Sequence, residues 1–277
     1  MTGTLYIVAT PIGNLDDMTP RAIDVLHHAD LVLAEDTRHS KKLLQHFAIN
    51  TPMQSCHDFN ERNRIAAVIV RLEKGENIAL ISDAGTPLIN DPGYHLVTAA
   101  HAANIRVSPV PGASALIAAL SAAGIATDRF TFIGYLPAKP AARRRSLQAL
   151  ATAGETLVMY ETPHRICETL ADLCGYLDAS REMAICRELT KQFETIRKGS
   201  VEEITQFVRA DTNQQRGEFV LVVQGAPESV ADEAEMSRVL RILLPVLPVR
   251  KAAAIAAEIL GGSKNRLYDL ALKLKDE

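Results

Sequence analysis

Eight short β-rich runs, separated by segments of helical period and by turn residues, restrict this chain to few architectures. They are "TLYIVAT", "LVLAE", "NIALIS", "IRVSPV", "FTFIG", "TLVMY", "MAICRE" and "EFVLVVQG". Between them Ile65, Val68, Ile69 and Leu72 recur at i, i+3, i+4 and i+7, one face of a helix that Gly75 closes. Thr19-Pro20 opens another helix with a hydroxyl cap, and Ser200 to Glu203 has capping-box spacing. Such alternation predicts an α/β protein with largely parallel sheets.

The length of 277 residues suits two units of ordinary size. We expect a first α/β domain over 1–112 and a second over 113–226. The acidic stretch "APESVADEAE" then reads as a linker. Beyond it, residues 235–277 carry only helical patterns, with Ser263 as a cap after Gly261-Gly262, and predict a small module of helix-turn-helix type. No apolar stretch approaches the roughly 18 residues of a membrane span, and "MTGTLYIVATPIGN" has no basic leader, so a cytoplasmic protein is expected. Cys56, Cys167, Cys174 and Cys186 have neither metal-ligand spacing nor a disulfide framework, and no metal is expected.

The net charge of −3 does not suggest a nucleic-acid partner, but charge is unevenly spread. "AKPAARRR" sets Lys139, Arg143, Arg144 and Arg145 together without an acid, and residues 235–277 hold eight Lys/Arg against five Asp/Glu.

In parallel α/β sheets ligands lie beyond the carboxyl ends of the strands. The loops at those positions are "TPIGN", "EDTRH", "HDFNE", "SDAGTPLINDPG", "VPGASA", "YETPHR", "RELTK" and "RGE". None carries a dinucleotide or nucleoside-triphosphate phosphate motif, which excludes the usual nucleotide sites. Ser114 in "GASA" resembles half of a nucleophile elbow without its second glycine, so a helix cap is the preferred reading and a serine hydrolase the weaker one.

Taken in order, "TPIGNL", "AEDTRHS", "ISDAGTPLINDPG", "PGASALIAALSAAG", "YETPHR", "RELTK" and the "GE" before "FVLVV" resemble the tetrapyrrole-methylase-like methyltransferases. Within that family the likeness is to the branch that methylates a cytidine 2′-hydroxyl of small-subunit ribosomal RNA. It spans residues 4–224. The resemblance implies two α/β domains with a cofactor cleft between them, S-adenosylmethionine in that cleft, and a homodimer. By motif position it assigns Pro11, Asp83, Ala84, Gly85, Thr86, Ile89, Ser114, Ala115, Tyr160, Leu189 and Glu218 to the cofactor. The family's loop usually reads Gly-Asp-Pro, whereas here Asp83 stands between Ser82 and Ala84.

A ribose hydroxyl is a poor nucleophile, and a base or a cation must assist it. Asp36, Arg38, His57, Glu188 and Lys191 are the candidates by position, with Glu188 or Lys191 expected to polarise the hydroxyl. Arg38 and Arg165 are expected to hold RNA phosphate or to close the cleft, and the basic tract with the C-terminal helices, Lys264 among them, to bind RNA of the small subunit with strong salt dependence. Thirteen Phe and Tyr and no Trp leave no aromatic-rich platform legible. The alternatives are a methyltransferase of the same fold acting on a tetrapyrrole or a protein side chain, and an RNA-binding module without transfer.

Overall fold

The computed structural model describes residues 2–56, 61–227, 233–260 and 263–275. Five strands, β1 (Thr4–Val8), β2 (Leu31–Ala34), β3 (Met53–Ser55), β4 (Ile78–Ile81) and β5 (Arg106–Val110), form a first sheet ordered β3-β2-β4-β1-β5. Every pairing in it is parallel. Helices α1 (Pro20–His28) and α2 (Thr37–His46) cover one face, and α3 (Glu61–Glu73) and α4 (Tyr94–Ala102) the other. The central strand β4 shows why: Ile78 and Leu80 enter one core, Ala79 and Ile81 the other, and all four are buried. Burying one such aliphatic side chain contributes about 1.5–3 kcal/mol, so a strand apolar on both faces demands a layer on each side.

The second sheet contains β6 (Phe130–Tyr135), β7 (Thr156–Glu161), β8 (Glu182–Arg187), β9 (Thr195–Ser200) and β10 (Phe219–Val223), ordered β6-β7-β10-β8-β9. Only β6–β7 is parallel; β7–β10, β10–β8 and β8–β9 are antiparallel. The expectation of largely parallel sheets is corrected here. A parallel crossover needs a dozen or more residues, and "ELTKQFE" between β8 and β9 is too short to do anything but reverse the chain. The strand β9 also escaped the pattern reading, because "TIRKGS" has no apolar alternation and lies at the sheet edge.

Helix α5 (Ala115–Ala122) packs Leu116, Ala119 and Leu120 onto the face that carries Val158, Ala184 and Val220. Helices α6 (Pro140–Leu150), α7 (Ile166–Tyr176) and α8 (Val201–Ala210) close the opposite face, and the capping box at Ser200 and Glu203 starts α8 as expected. Ile12, from the loop after β1, belongs to the α5 core, so a residue of the first unit is packed into the second. Finally α9 (Glu233–Leu243), α10 (Val249–Leu260) and α11 (Lys264–Lys275) share a separate core of Met236, Leu240, Ala252, Ala253, Ala256, Leu267 and Ala271. Among the described residues no helix is long and apolar enough to cross a membrane.

Candidate active site

Two loops at the carboxyl end of the first sheet are sewn together. Thr10 N–H donates to the Gly85 carbonyl at 2.8 Å and Gly85 N–H returns to the Thr10 carbonyl at 3.0 Å. Thr10 Oγ1 donates to the Ser82 carbonyl, and Thr86 Oγ1 to the Ala113 carbonyl at 3.0 Å. The loop after β4 is thereby fixed to the ends of β1 and β5. Leu88 and Asn90 take φ of 71° and 67°, left-handed values that a non-glycine residue holds only where its surroundings enforce them. Asp83 serves this fixation too, its carboxylate accepting the Asp36 N–H at 3.1 Å.

Between this loop and the carboxyl ends of β6, β7 and β8 lies a cavity of about 330 Å³. Asp83, Ala84, Gly85, Thr86, Ile89, Ser114, Ala115, Tyr160, Leu189 and Glu218, all expected at the cofactor, line it. Pro11 is buried directly before the lining residue Ile12 and does not itself face the space. Sequence reasoning missed Ile12, Glu35, Asn90, Asp91, Tyr135, Glu161, Cys186, Phe219 and Val220, which complete the wall. Tyr135 ends β6 and could have been found by the strand-end rule that located the others. Cys186 could not: it is a strand residue whose thiol burial pushes up to about 12, and it behaves as a small apolar group.

Ser114 precedes α5, but its side chain makes no capping bond there. The first turn is served instead by Tyr160, whose hydroxyl accepts the Leu116 N–H at 3.2 Å. Burial raises the Tyr160 and Tyr135 pKa values; for Tyr135 the Glu218, Glu161 and Asp91 carboxylates add to it. Both phenols stay protonated at neutral pH, and Tyr160, having accepted a backbone N–H, can donate its own proton into the cavity.

At one edge stands an ionic cluster. Lys191 Nζ lies 2.8 Å from Glu188 Oε1 and 2.8 Å from Glu218 Oε2. The backbone holds these groups in place: Glu188 N–H donates to the Glu218 carbonyl at 2.9 Å, and Glu218 N–H donates to Glu188 Oε1 at 3.0 Å. Glu188 and Thr190 adopt φ of 51° and 66°, a strained turn that folds "RELTK" back onto itself. Burial opposes charge on both Glu188 and Lys191. Their mutual hydrogen bond, with those from Glu218, prevails and holds the carboxyl below and the ammonium above its ordinary range.

The other expected catalytic residues stand apart. Asp36 caps α2 and pairs with Arg38, which holds its carboxyl down at about 2, and the Arg38 side chain is 90% exposed; neither lines the cavity. His57 lies outside the described residues. Of the residues expected on RNA, Lys139, Arg145 and Lys264 are exposed, and Arg144 is exposed but paired with Asp172 at 2.9 Å. Arg143 is corrected: at 1% exposure its guanidinium joins α6 to Asp172 and Glu168 of α7, so it offers nothing to a phosphate. Arg165 is likewise committed, to the buried Glu161 at 2.8 Å and to the Leu136 carbonyl.

The donor set fits the expected cofactor. S-adenosylmethionine carries a sulfonium and an ammonium but no phosphate. The lining includes the acidic residues Glu35, Asp83, Asp91 and Glu218, apolar walls from Ile12, Ile89, Leu189 and Val220, and the loop Asp83–Thr86, while the Glu161 carboxylate is turned away to Arg165 and Thr169. Lys191 is the one cation in that lining among the described residues, and two carboxylates already engage it. An acid-lined cavity attracts a cation and repels a phosphate.

Comparison with known proteins agrees. Residues 4–205 match the family described as Tetrapyrrole (Corrin/Porphyrin) Methylases, and residues 230–275 match the RsmI C-terminal HTH domain. Proteins named ribosomal RNA small subunit methyltransferase I are similar over nearly the whole chain. That of Pseudomonas aeruginosa is 57% identical over 98% of this chain and 97% of its own length; that of Escherichia coli O157:H7 is 50% identical over 98% and 95%. Solved structures share the fold at low identity. The uroporphyrin-III-C-methyltransferase of Thermus thermophilus has a TM-score of 0.56 at 22% identity, covering 80% of this chain and 94% of that one. The cobalt precorrin-4 methyltransferase has a TM-score of 0.59 at 17% identity, covering 80% and 94%. The chain therefore belongs to the tetrapyrrole methylase family of S-adenosylmethionine-dependent methyltransferases, in the group of ribosomal RNA small subunit methyltransferase I.

Proposed function

We propose that this chain methylates the 2′-hydroxyl of a cytidine in the decoding region of small-subunit ribosomal RNA, with S-adenosylmethionine as donor. The observation that carries the reading is the 47–57% identity, over almost the full chain, to proteins named for methylation of that RNA. The low-identity likeness to tetrapyrrole enzymes supports only the shared fold. We further propose that the substrate is the assembled subunit, that the active species is a cytoplasmic homodimer, and that the three C-terminal helices with Lys139, Arg144, Arg145 and Lys264 bind RNA phosphate.

Asp83–Thr86, Ile89, Ser114, Ala115, Tyr160 and Leu189 hold the cofactor, which supplies an electrophilic methyl on sulfur. The chain's own part is to position and deprotonate the acceptor. Lys191, kept protonated by two carboxylates, directs its charge at the acceptor hydroxyl and stabilises the alkoxide character that develops there. Glu188 stays ionised and holds the ammonium; the more exposed Glu218 carboxylate takes the hydroxyl proton. Lys191 is thus an electrostatic stabiliser rather than a base. Methyl transfer from labelled cofactor, compared between unmethylated small subunits and a tetrapyrrole acceptor, tests the reading: label in the RNA alone supports it, and label in the tetrapyrrole alone overturns it.

A further inference from the structure

We propose that Phe193, with the cavity beside it, holds a nucleobase next to the methylated nucleotide; the proposal rests on the RNA reading given above. The β8–β9 connection carries Lys191 to the first cavity and two residues later leaves the Phe193 side chain 64% exposed. An exposed phenylalanine on a loose loop would be ordinary. This loop is pinned at every turn. Arg187 Nη1 donates to the Phe193 carbonyl at 2.9 Å, Glu194 N–H to the Lys191 carbonyl at 3.1 Å, and Thr190 N–H to Glu194 Oε2 at 2.7 Å. The ring is therefore held in solvent by a backbone that is already ordered, and little entropy is lost when something stacks on it.

Phe193 borders a second cavity of about 780 Å³, within the range of ligand sites. The chemistry of its lining selects the occupant. All three of its carboxylates are engaged: Glu194 and Asp211 by the N–H groups of Thr190 and Asn213, and Glu188 by the Lys191 ammonium. The side-chain amides of Gln192 and Asn213 have no hydrogen-bond partner among the described residues, and Gln214 Oε1 is buried without one. An amide offers a donor and an acceptor side by side, which matches the edge of a base, and an aromatic face matches its plane. Glu188 lines this cavity and pairs with Lys191, which lines the first, so the two spaces are linked through that ion pair. A strand that presents one ribose to Lys191 brings a neighbouring base to Phe193.

The test replaces Phe193 in the full chain and measures methylation of small subunits taken from cells that lack this protein. Phe193→Ala and Phe193→Leu should raise KM for the subunit roughly ten- to hundredfold, with kcat falling less than KM rises and cofactor affinity unchanged, while Phe193→Trp stays within about twofold. A benzophenone side chain at position 193 should crosslink to RNA within a few nucleotides of the modified cytidine. An unchanged KM in Phe193→Ala, full retention by Phe193→Leu, or crosslinks confined to ribosomal protein would overturn the proposal alone. Absence of methyl transfer by the unaltered chain would overturn the substrate reading and this proposal with it.

Discussion

Gly13 lies directly under the side chain of Lys191: a Cβ placed on Gly13 would stand 2.4 Å from Lys191 Cγ and 2.9 Å from its Cε. The loop after β1 thus forms the floor on which the candidate catalytic ammonium rests. A residue of one sheet unit sets the position of a group carried by the other. Gly13→Ala must displace the lysine stem, and a misplacement of about 1 Å can cost as much as a hundredfold in rate. We expect kcat to fall roughly ten- to hundredfold with little change in the melting temperature, since Gly13 is exposed; steady-state kinetics beside thermal unfolding check this.

Lys191→Met removes the charge and keeps the stem, and should lower kcat about 10²–10³-fold, the loss seen on removing one preorganised donor at a developing oxyanion. Cofactor affinity measured by calorimetry should change far less. Equal loss of both would assign Lys191 to binding.

The pH profile follows from the same cluster. Glu188 is held below its ordinary 4.5, so its part of the pair is present above that value and lost as pH falls through the lowered pKa. Lys191 is held above its ordinary 10.5, so its part is present below that value and lost as pH rises through the raised pKa. The kcat profile should be free of any inflection from this pair between about pH 5 and 10. Glu188→Gln removes the carboxylate that outweighs burial at Lys191, and an alkaline limb should then move down into the accessible range.

Arg143 and Arg145, two residues apart on α6, should separate stability from RNA binding. Arg143→Ala strips a buried partner from Asp172 and should cost about 3–5 kcal/mol in urea unfolding, less whatever Arg144 recovers. Burial opposes the charge on Asp172, yet its bonds to Arg143 and Arg144 hold its pKa down; this stability is therefore lost as pH falls through that lowered value. Arg145→Ala should leave unfolding unchanged, weaken RNA binding, and reduce the slope of log affinity against log salt by about 1.

Tyr160→Phe keeps the ring but leaves the Leu116 N–H without its acceptor at the start of α5. A loss near 1 kcal/mol is expected in unfolding, together with weaker cofactor binding from the missing phenol donor; calorimetric titration and thermal unfolding measure the two.

Much of the site was legible because strand-end loops announce themselves through Gly, Pro, Asp and Asn, as in "SDAGTPLINDPG" between β4 and α4. What sequence could not show was which charged residues already have partners. Arg143 and Arg145 read alike in "RRR", and only the fold turns one inward to Asp172 while leaving the other outside. Phe219 and Val220 contribute to the wall through the geometry of the second sheet, whose antiparallel insertion of β10 no local pattern reports. Nor could spacing reveal that Gly13 and Lys191, far apart in the chain, share one contact.

The most direct measurement locates the methyl group itself. Small subunits lacking the modification are incubated with methyl-labelled S-adenosylmethionine and this chain, and the RNA is then hydrolysed in alkali, which cannot cleave beside a methylated 2′-oxygen. The account predicts label in one alkali-resistant dinucleotide headed by cytidine, lost with Lys191→Met. Label on a base or on ribosomal protein, or undiminished transfer by Lys191→Met, would contradict it.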